Sequence, residues 1–254
     1  MDKARTATDA TIKVDTFRHC SGGPGLSGSY RGLRIHALGG LHEFMAERAL
    51  AHLPAGVDLL ELGAGSGALS LRLADLGYRV SATDYVVENF RLHGDLPFLQ
   101  LDLNGDFATR CGGRFGALMA CEIIEHLENP RHFARQCFKL LRSGGKLLLS
   151  TPNIDNIGAI TQFLRRGTFT WFSDYEYEHD GHITPLTQWQ IEKCFLEAGF
   201  RFLWRGSCGN RDHVFKPSRR ARLARHILRW LARDRSALRE AIFVAVLEKP
   251  GAPP

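Results

Sequence analysis

The sequence predicts an α/β fold, an open sheet covered by helices on both faces. Three observations carry this: short apolar runs alternate with stretches of helical periodicity along most of the chain, a glycine loop joins one strand to one helix, and acidic residues stand at consecutive strand ends. With 254 residues, 44% hydrophobic and 24% charged, the chain has the composition of a globular protein with a substantial core.

Residues 1–40 carry polar and Gly/Ser/Pro-rich stretches such as "CSGGPGLSGS" and are expected to be a loose segment or flap, ahead of a domain over 41–254. In "GLHEFMAERALAHL", Leu41, Phe44, Met45, Ala49 and Leu53 recur at helical spacing before Pro54. "VDLLELG" is a buried strand running into glycines, "ALSLRLADLG" a helix, "YRVSATD" a second strand, "LPFLQLDL" a third and "RFGALMAC" a fourth. Asn129–Pro130 caps the helix "PRHFARQCFKLLRSGG", which is expected to stop at its paired glycines before the strand "KLLLSTPN". A helix in "TPLTQWQIEKCFLEAGF" and strands in "FRFLWRG" and "AIFVAVLEK" complete the order. Residues 153–185 and 211–240 are insertions, the first placed to be a lid.

No run reaches the roughly 18 apolar residues of a membrane-spanning helix, and the N-terminus lacks the apolar core of a secretory signal. The six cysteines, at 20, 111, 121, 137, 194 and 208, form no C-x-x-C pair. They are expected to be reduced and the protein cytoplasmic. The net charge of +6 is concentrated: residues 211–240 alone carry +7, leaving −1 elsewhere.

Between its strand and helix, "ELGAGSGALS" has the context a nucleotide loop needs. Gly63, Gly65 and Gly67 permit a tight turn and close ligand approach to a helix N-terminus. Asp84 ends the second strand 21 residues after Gly63, where an acid can hold ribose hydroxyls, and Asp102 ends the third, where it can accept from an exocyclic amine. As G-x-G-x-x-A the loop also suits a dinucleotide, but Glu61, two residues before the first glycine, repels pyrophosphate and favours a cationic ligand such as S-adenosylmethionine.

With "LLELGAGSG", "VSATD", "LQLDL", "ALMACEIIEHLENP" and "LLRSGGKLLLSTPN" in order, residues 57–203 resemble the class I S-adenosylmethionine-dependent methyltransferases, most of all the ubiquinone-biosynthesis O-methyltransferases and their bacterial relatives. The resemblance implies a Rossmann-like seven-stranded sheet with an antiparallel last strand and S-adenosylmethionine as co-substrate. It assigns Glu61, Gly63, Ala64, Gly65 and Gly67 to the methionine end and Asp84 to the ribose. Asp102 and the Leu103 amide go to the adenine, with Tyr85 and Cys121 completing the cofactor set. The first 40 residues and the Arg-rich loop before the last strand depart from it.

Glu122, Glu125 and His126 follow the fourth strand, and if a helix has begun there they share one face. Glu122, His126 and His182, from the lid, are the candidate catalytic residues. Three readings stay open: a divalent metal held by Glu122, Glu125, His126 and His182, a histidine base or substrate contact, and a polar helix start. Phe163, Phe169, Trp171, Phe172, Tyr175 and Tyr177 in the lid point to an apolar or ring-bearing small-molecule acceptor, with His179 and His182 beside them. An acceptor oxygen on a quinone precursor, a lipid-linked sugar or a related metabolite is expected. The alternatives are RNA 2′-O-methylation, since that family also carries E-x-x-E-H, and a module that binds an adenosine ligand without chemistry. In 218–233, Leu223, Ile227, Trp230 and Leu231 share one helical face and Arg222, Arg225, Arg229 and Arg233 another. Such a helix suits packing of its apolar face on the sheet with a solvated basic face, peripheral contact with an anionic membrane, or, third in order, nucleic acid.

Overall fold

The computed structural model describes residues 27–209, 218–231 and 240–251. Residues 1–26, with Cys20 and most of the expected flap, lie outside the described residues, as do the flanks 210–217 and 232–239 of the basic segment, Arg233 among them. The elements in chain order are β1 Ser27–Tyr30, β2 Leu33–His36, α1 Leu41–His52, β3 Asp58–Leu62, α2 Ala68–Asp75, β4 Arg79–Asp84, β5 Phe98–Gln100, α3 Phe107–Cys111, β6 Phe115–Cys121 and α4 Pro130–Leu140. They continue with β7 Leu141–Pro152, α5 Ile157–Arg166, α6 Asp174–His179, α7 Gln188–Glu197, β8 Arg201–Cys208, α8 Arg219–Leu231 and β9 Ile242–Glu248.

Seven strands form one sheet in the order β5-β4-β3-β6-β7-β9-β8. All pairs from β5 to β7 are parallel, while β9 runs antiparallel to both β7 and β8. Period-two burial explains the two-sided cover. In β9, Phe243, Ala245 and Leu247 enter one core with Leu60, Leu62, Phe133 of α4 and Phe195 of α7. Ile242, Val244 and Val246 enter the other with Leu59, Met45 of α1 and Leu69 and Leu73 of α2. The chain steps outward from β3 through β4 to β5 and then returns to β6 on the far side of β3. That reversal opens a crevice beyond the carboxyl ends of β3 and β6, where open α/β sheets take their ligands.

Two local outcomes differ from the sequence reading. Helix α4 ends at Leu140, not at the paired glycines, and Leu141 is already extended and opposite Phe115. The register then shifts, so that Ala117 faces Lys146, and "RSGG" is taken up as a bulge in β7. Residues 27–36 form an ordered antiparallel hairpin, tied to the domain by Tyr30 donating to Asp75 (2.7 Å) and Ser66 Oγ donating to the Arg34 carbonyl (2.5 Å).

Candidate active site

The loop after β3 is built on left-handed glycines, Gly63 (φ 76°), Gly65 (φ 54°) and Gly67 (φ 88°). The Gly63 and Ala64 amides donate to the Thr83 carbonyl (2.9 and 2.8 Å), which fixes the loop to the end of β4. A Cβ on Gly63 would stand 2.0 Å from Ile123 Cδ1, so only glycine fits there. At Gly65 the only atom among the described residues that such a Cβ would meet within 4 Å, chain neighbours aside, is His36 Cδ2 at 3.7 Å, so the described residues leave this side of the loop open.

Asp84 joins the loop to the next strand end: its Oδ2 accepts from the Gly65 amide (2.7 Å) and its Oδ1 from the Val86 amide (2.9 Å). With about four acceptor sites on a carboxylate, Asp84 keeps room for a ligand donor. Glu61 is buried beneath the loop and accepts from Ser70 Oγ. Burial pushes its carboxyl up to about 8, against the Ser70 hydrogen bond and with a further push from Asp84. Asp102 is exposed and caps its own turn by accepting from the Asn104 amide (2.9 Å), Leu103 is buried and Tyr85 is partly exposed.

On the other side of the crevice β6 ends at Cys121, and Glu122 adopts a left-handed backbone (φ 55°). A non-glycine residue held there costs energy, and such strain gathers at functional sites. The turn sends the Glu122 carboxylate into the protein, where Ser150 Oγ donates to Oε1 (2.9 Å) and also lies 3.5 Å from Cys121 Sγ. Burial raises the Glu122 carboxyl to about 8.

The expected shared helical face does not form. Ile124–His126 is a single 3-10 turn, and α4 begins only at Pro130. Glu125 instead points into the core, wholly buried, with Thr151 Oγ1 donating to Oε2 (2.9 Å) and its carbonyl accepting from the Ile183 and Thr184 amides (3.0 and 2.9 Å). Its Oε1 accepts no hydrogen bond among the described residues, and the carboxyl is held far above its ordinary range by burial and by Glu122.

His126 and His182 meet edge to face, ring centres 4.7 Å apart. His126 Nδ1 lies 3.2 Å from the Gly181 carbonyl and His182 Nδ1 2.7 Å from that of Trp171. A carbonyl only accepts, so each Nδ1 is the nitrogen that donates in these contacts. Burial drives the His126 pKa down to about 3, aided by His182, and lowers that of His182 as well, so both rings are neutral at pH 7. Ligand atoms of Glu125, His126 and His182 all lie within 4.8 Å of one another. Glu122, included in the expected four-residue set, is not in this cluster.

The lid contributes more than His182. Trp171, left-handed at φ 70° and buried, packs into the core on the α1 and α2 side of the sheet. His179, by contrast, stacks on the exposed Tyr175 at 4.3 Å and stays outside the cluster. Sequence reasoning missed Ser150 and Thr151, whose hydroxyls anchor the two buried carboxyls; the available signal was a polar pair ending an otherwise apolar strand. A second cleft, of about 430 Å³, lies at the opposite end of the sheet between Asp58, Arg79, Pro97 and Arg114. Its Asp58 is already paired with Arg79 and Arg142, both at 2.7 Å.

Residues 30–203 match the family model described as "Methyltransferase domain". A ubiquinone biosynthesis O-methyltransferase of Xanthomonas oryzae pv. oryzae is 38% identical over 130 residues, which cover 45% of this chain and 54% of that protein. Another protein of that name, from Psychrobacter arcticus, is 30% identical over 177 residues, 63% of each. The chain thus spans little more than half the length of the curated relatives it matches. Among solved structures, a SAM dependent methyltransferase from Archaeoglobus fulgidus superposes with a TM-score of 0.58 at 13% identity, covering 82% of this chain and 94% of that one. At that identity the likeness is one of fold.

Proposed function

Because the chain belongs to the methyltransferase domain family, we propose that it transfers the methyl group of S-adenosylmethionine to an oxygen of a small, apolar or ring-bearing molecule. The observation that carries this is the joining of two half-sites along one sheet edge: the Gly63–Gly67 loop locked to Asp84, and, after β6, Glu122 beside the cluster of Glu125, His126 and His182. The loop and Asp84 hold the methionine and ribose ends of the cofactor, with Asp102, Leu103 and Tyr85 at the adenine end. The acceptor enters over Glu122, under the aromatic lid. A phenolic quinone precursor or a lipid-linked sugar fits this description, and nucleic acid fits it less well. In this reading the basic segment within 211–240 gives the enzyme a peripheral contact with an anionic membrane, where an apolar acceptor would be found.

Methyl transfer is an in-line displacement: the acceptor oxygen forms a bond to the methyl carbon as the carbon–sulfur bond breaks, and the hydroxyl proton must leave. Positioning supplies much of the rate, and a base supplies the rest. Of the buried groups, Glu122, near 8, is closer to the ideal for a base at neutral pH than His126, near 3. His126 and His182 then serve as neutral rings that orient the substrate. The residues also fit a divalent cation, because Glu125 Oε1 is buried without a hydrogen-bond donor close to two imidazoles. Glu125, His126 and His182 would hold it, and the chemistry supplied there would be acidification of a hydroxyl. One oxygen and two nitrogens suit manganese or zinc better than magnesium.

Mass spectrometry of the purified protein should find S-adenosylmethionine or its demethylated product; a bound dinucleotide instead would refute the assignment. Asp84→Ala should weaken S-adenosylmethionine binding by about 1.5–3 kcal/mol, the cost of losing charge-assisted hydrogen bonds. Unchanged affinity by calorimetry in a folded variant would remove Asp84 from the site. Binding should also be linked to protons through Glu61. Near pH 7 its carboxyl holds a proton, since its pKa is raised to about 8. A cationic ligand group favours the ionised form, so binding should release a proton, and affinity should rise with pH until it levels off above about 8. Calorimetry in buffers of different ionisation enthalpy measures this release, and Glu61→Gln should abolish it. Proton uptake on binding would contradict the assignment.

A further inference from the structure

A helix packed on a globular domain normally turns its apolar stripe inward. Helix α8 leaves most of its stripe outside. Ala224, Arg225 and Leu228 are its half-buried side, and the Arg225 guanidinium reaches α5, where a Cβ on Gly158 would lie 3.2 Å from it. Leu223, Ile227, Trp230 and Leu231 occupy the neighbouring arc, about 100° wide at 3.6 residues per turn, and project outward. They are 64%, 52%, 78% and 60% exposed. Burial of this stripe on the sheet, one reading open from the sequence, is therefore not what is seen. Arg219, Arg222 and His226 line one edge of the stripe and Arg220 stands at its N-terminal end; all four are exposed, and the helix contains no acidic residue. Beneath it, α5 adds Leu164, 67% exposed, followed by Arg165 and Arg166.

We infer that the exposed face of α8 docks the protein onto an anionic lipid bilayer, with Leu223, Ile227 and Trp230 entering the interface and the arginines on lipid phosphates. Charge complementarity selects anionic lipid, and an exposed apolar stripe bordered by basic side chains selects a bilayer over a polyanion in solution. Trp at such a boundary keeps its ring in the apolar layer and its N–H at the wet edge. A nucleic-acid surface would need the arginines but would gain little from exposed leucine and isoleucine. No described helix is long and apolar enough to cross a membrane, so the contact is peripheral. Because α8 packs on α5, a helix of the lid insertion, docking would place the acceptor's entrance near the lipid. Only this last consequence rests on the methyl-transfer reading.

The test is co-sedimentation of the full chain with phosphatidylcholine vesicles, with and without phosphatidylglycerol. Partitioning should be at least about tenfold stronger onto the anionic vesicles and should weaken as salt rises. It should fall by about tenfold or more in Leu223→Ser/Ile227→Ser/Trp230→Ser and in Arg219→Glu/Arg222→Glu, with melting temperatures unchanged because these side chains are exposed. Should the triple variant fail to fold, Trp230→Ser alone should still weaken binding measurably. Equal partitioning onto neutral and anionic vesicles would overturn the inference. So would undiminished vesicle binding by the triple variant, whether it still binds RNA, which would mark a nucleic-acid surface, or loses a dimer, which would mark self-association. None of these readouts needs turnover or S-adenosylmethionine, so a failure of the methyl-transfer reading would leave the result standing.

Discussion

Gly65→Val should remove measurable S-adenosylmethionine binding while leaving a folded protein. Gly65 sits at φ 54°, a region β-branched residues occupy only at a cost of roughly 1–2 kcal/mol. The described residues oppose the new side chain weakly, since among them a Cβ would meet only His36 Cδ2, at 3.7 Å. The valine methyls instead occupy the open side of the loop, where a ligand must approach the backbone. They also disturb the Gly65 amide, whose 2.7 Å hydrogen bond positions Asp84. Loss of close approach and of ribose alignment together should lower affinity by about 10³-fold or more, near 4 kcal/mol. The neighbouring glycines give less clean tests. A Cβ on Gly63 collides with Ile123, and one on Gly67 comes within 2.9 Å of Leu92 and Phe90, so variants there would damage the fold as well. Calorimetry with a parallel thermal melt separates the cases. A folded Gly65→Val protein that binds normally would mean that the loop does not cradle the ligand.

The cofactor half of the site was legible in the sequence because its residues follow strand ends, and buried parallel strands advertise themselves as short apolar runs bounded by turn residues. Glu61, Gly63 and Asp84 needed only the order of β3 and β4 to fall on one edge. The acceptor half was less legible because its contacts depend on register. Ser150 meets Glu122 only because Cys121 pairs with Ser150 across β6 and β7, which lie almost thirty residues apart in the chain. The shared face proposed for Glu122, Glu125 and His126 assumed an α-helix where the backbone makes a left-handed turn and then a 3-10 turn, and no propensity announces φ 55° at a glutamate. The hairpin at 27–36 escaped notice for a different reason: its strands are four residues each, among glycines and serines, and tertiary contacts to Asp75 and Ser66 hold it.

Glu122→Gln and His126→Ala should each leave S-adenosylmethionine affinity nearly intact and lower turnover by about 10²-fold or more. Glutamine keeps the volume and still accepts from Ser150 Oγ, so the variant removes ionisation and little else. The pH profile identifies the role. With the Glu122 carboxyl raised to about 8, the group is largely protonated at pH 7 and must ionise to take a proton. Wild-type turnover should therefore climb with pH through about 8, and Glu122→Gln should lose that climb as well as the rate. Linkage sets the opposite sign for stability. Between about 4.5 and 8 the folded protein keeps a proton that the unfolded chain has lost, so this group's stabilisation fades as pH rises over that window. Glu122→Gln should flatten the corresponding fall in melting temperature. His126→Ala removes the ring that faces His182, and its effect should appear in turnover with either an apolar or a polar acceptor. Adding Mn²⁺ or Mg²⁺, or chelating metal, separates the two remaining roles. Chelation that brings the wild type down to the His126→Ala level would make Glu125, His126 and His182 metal ligands, whereas indifference to metal would leave the histidines as substrate contacts and Glu122 as the base. Full activity in both variants would sink the assignment and reduce the segment after β6 to a polar turn.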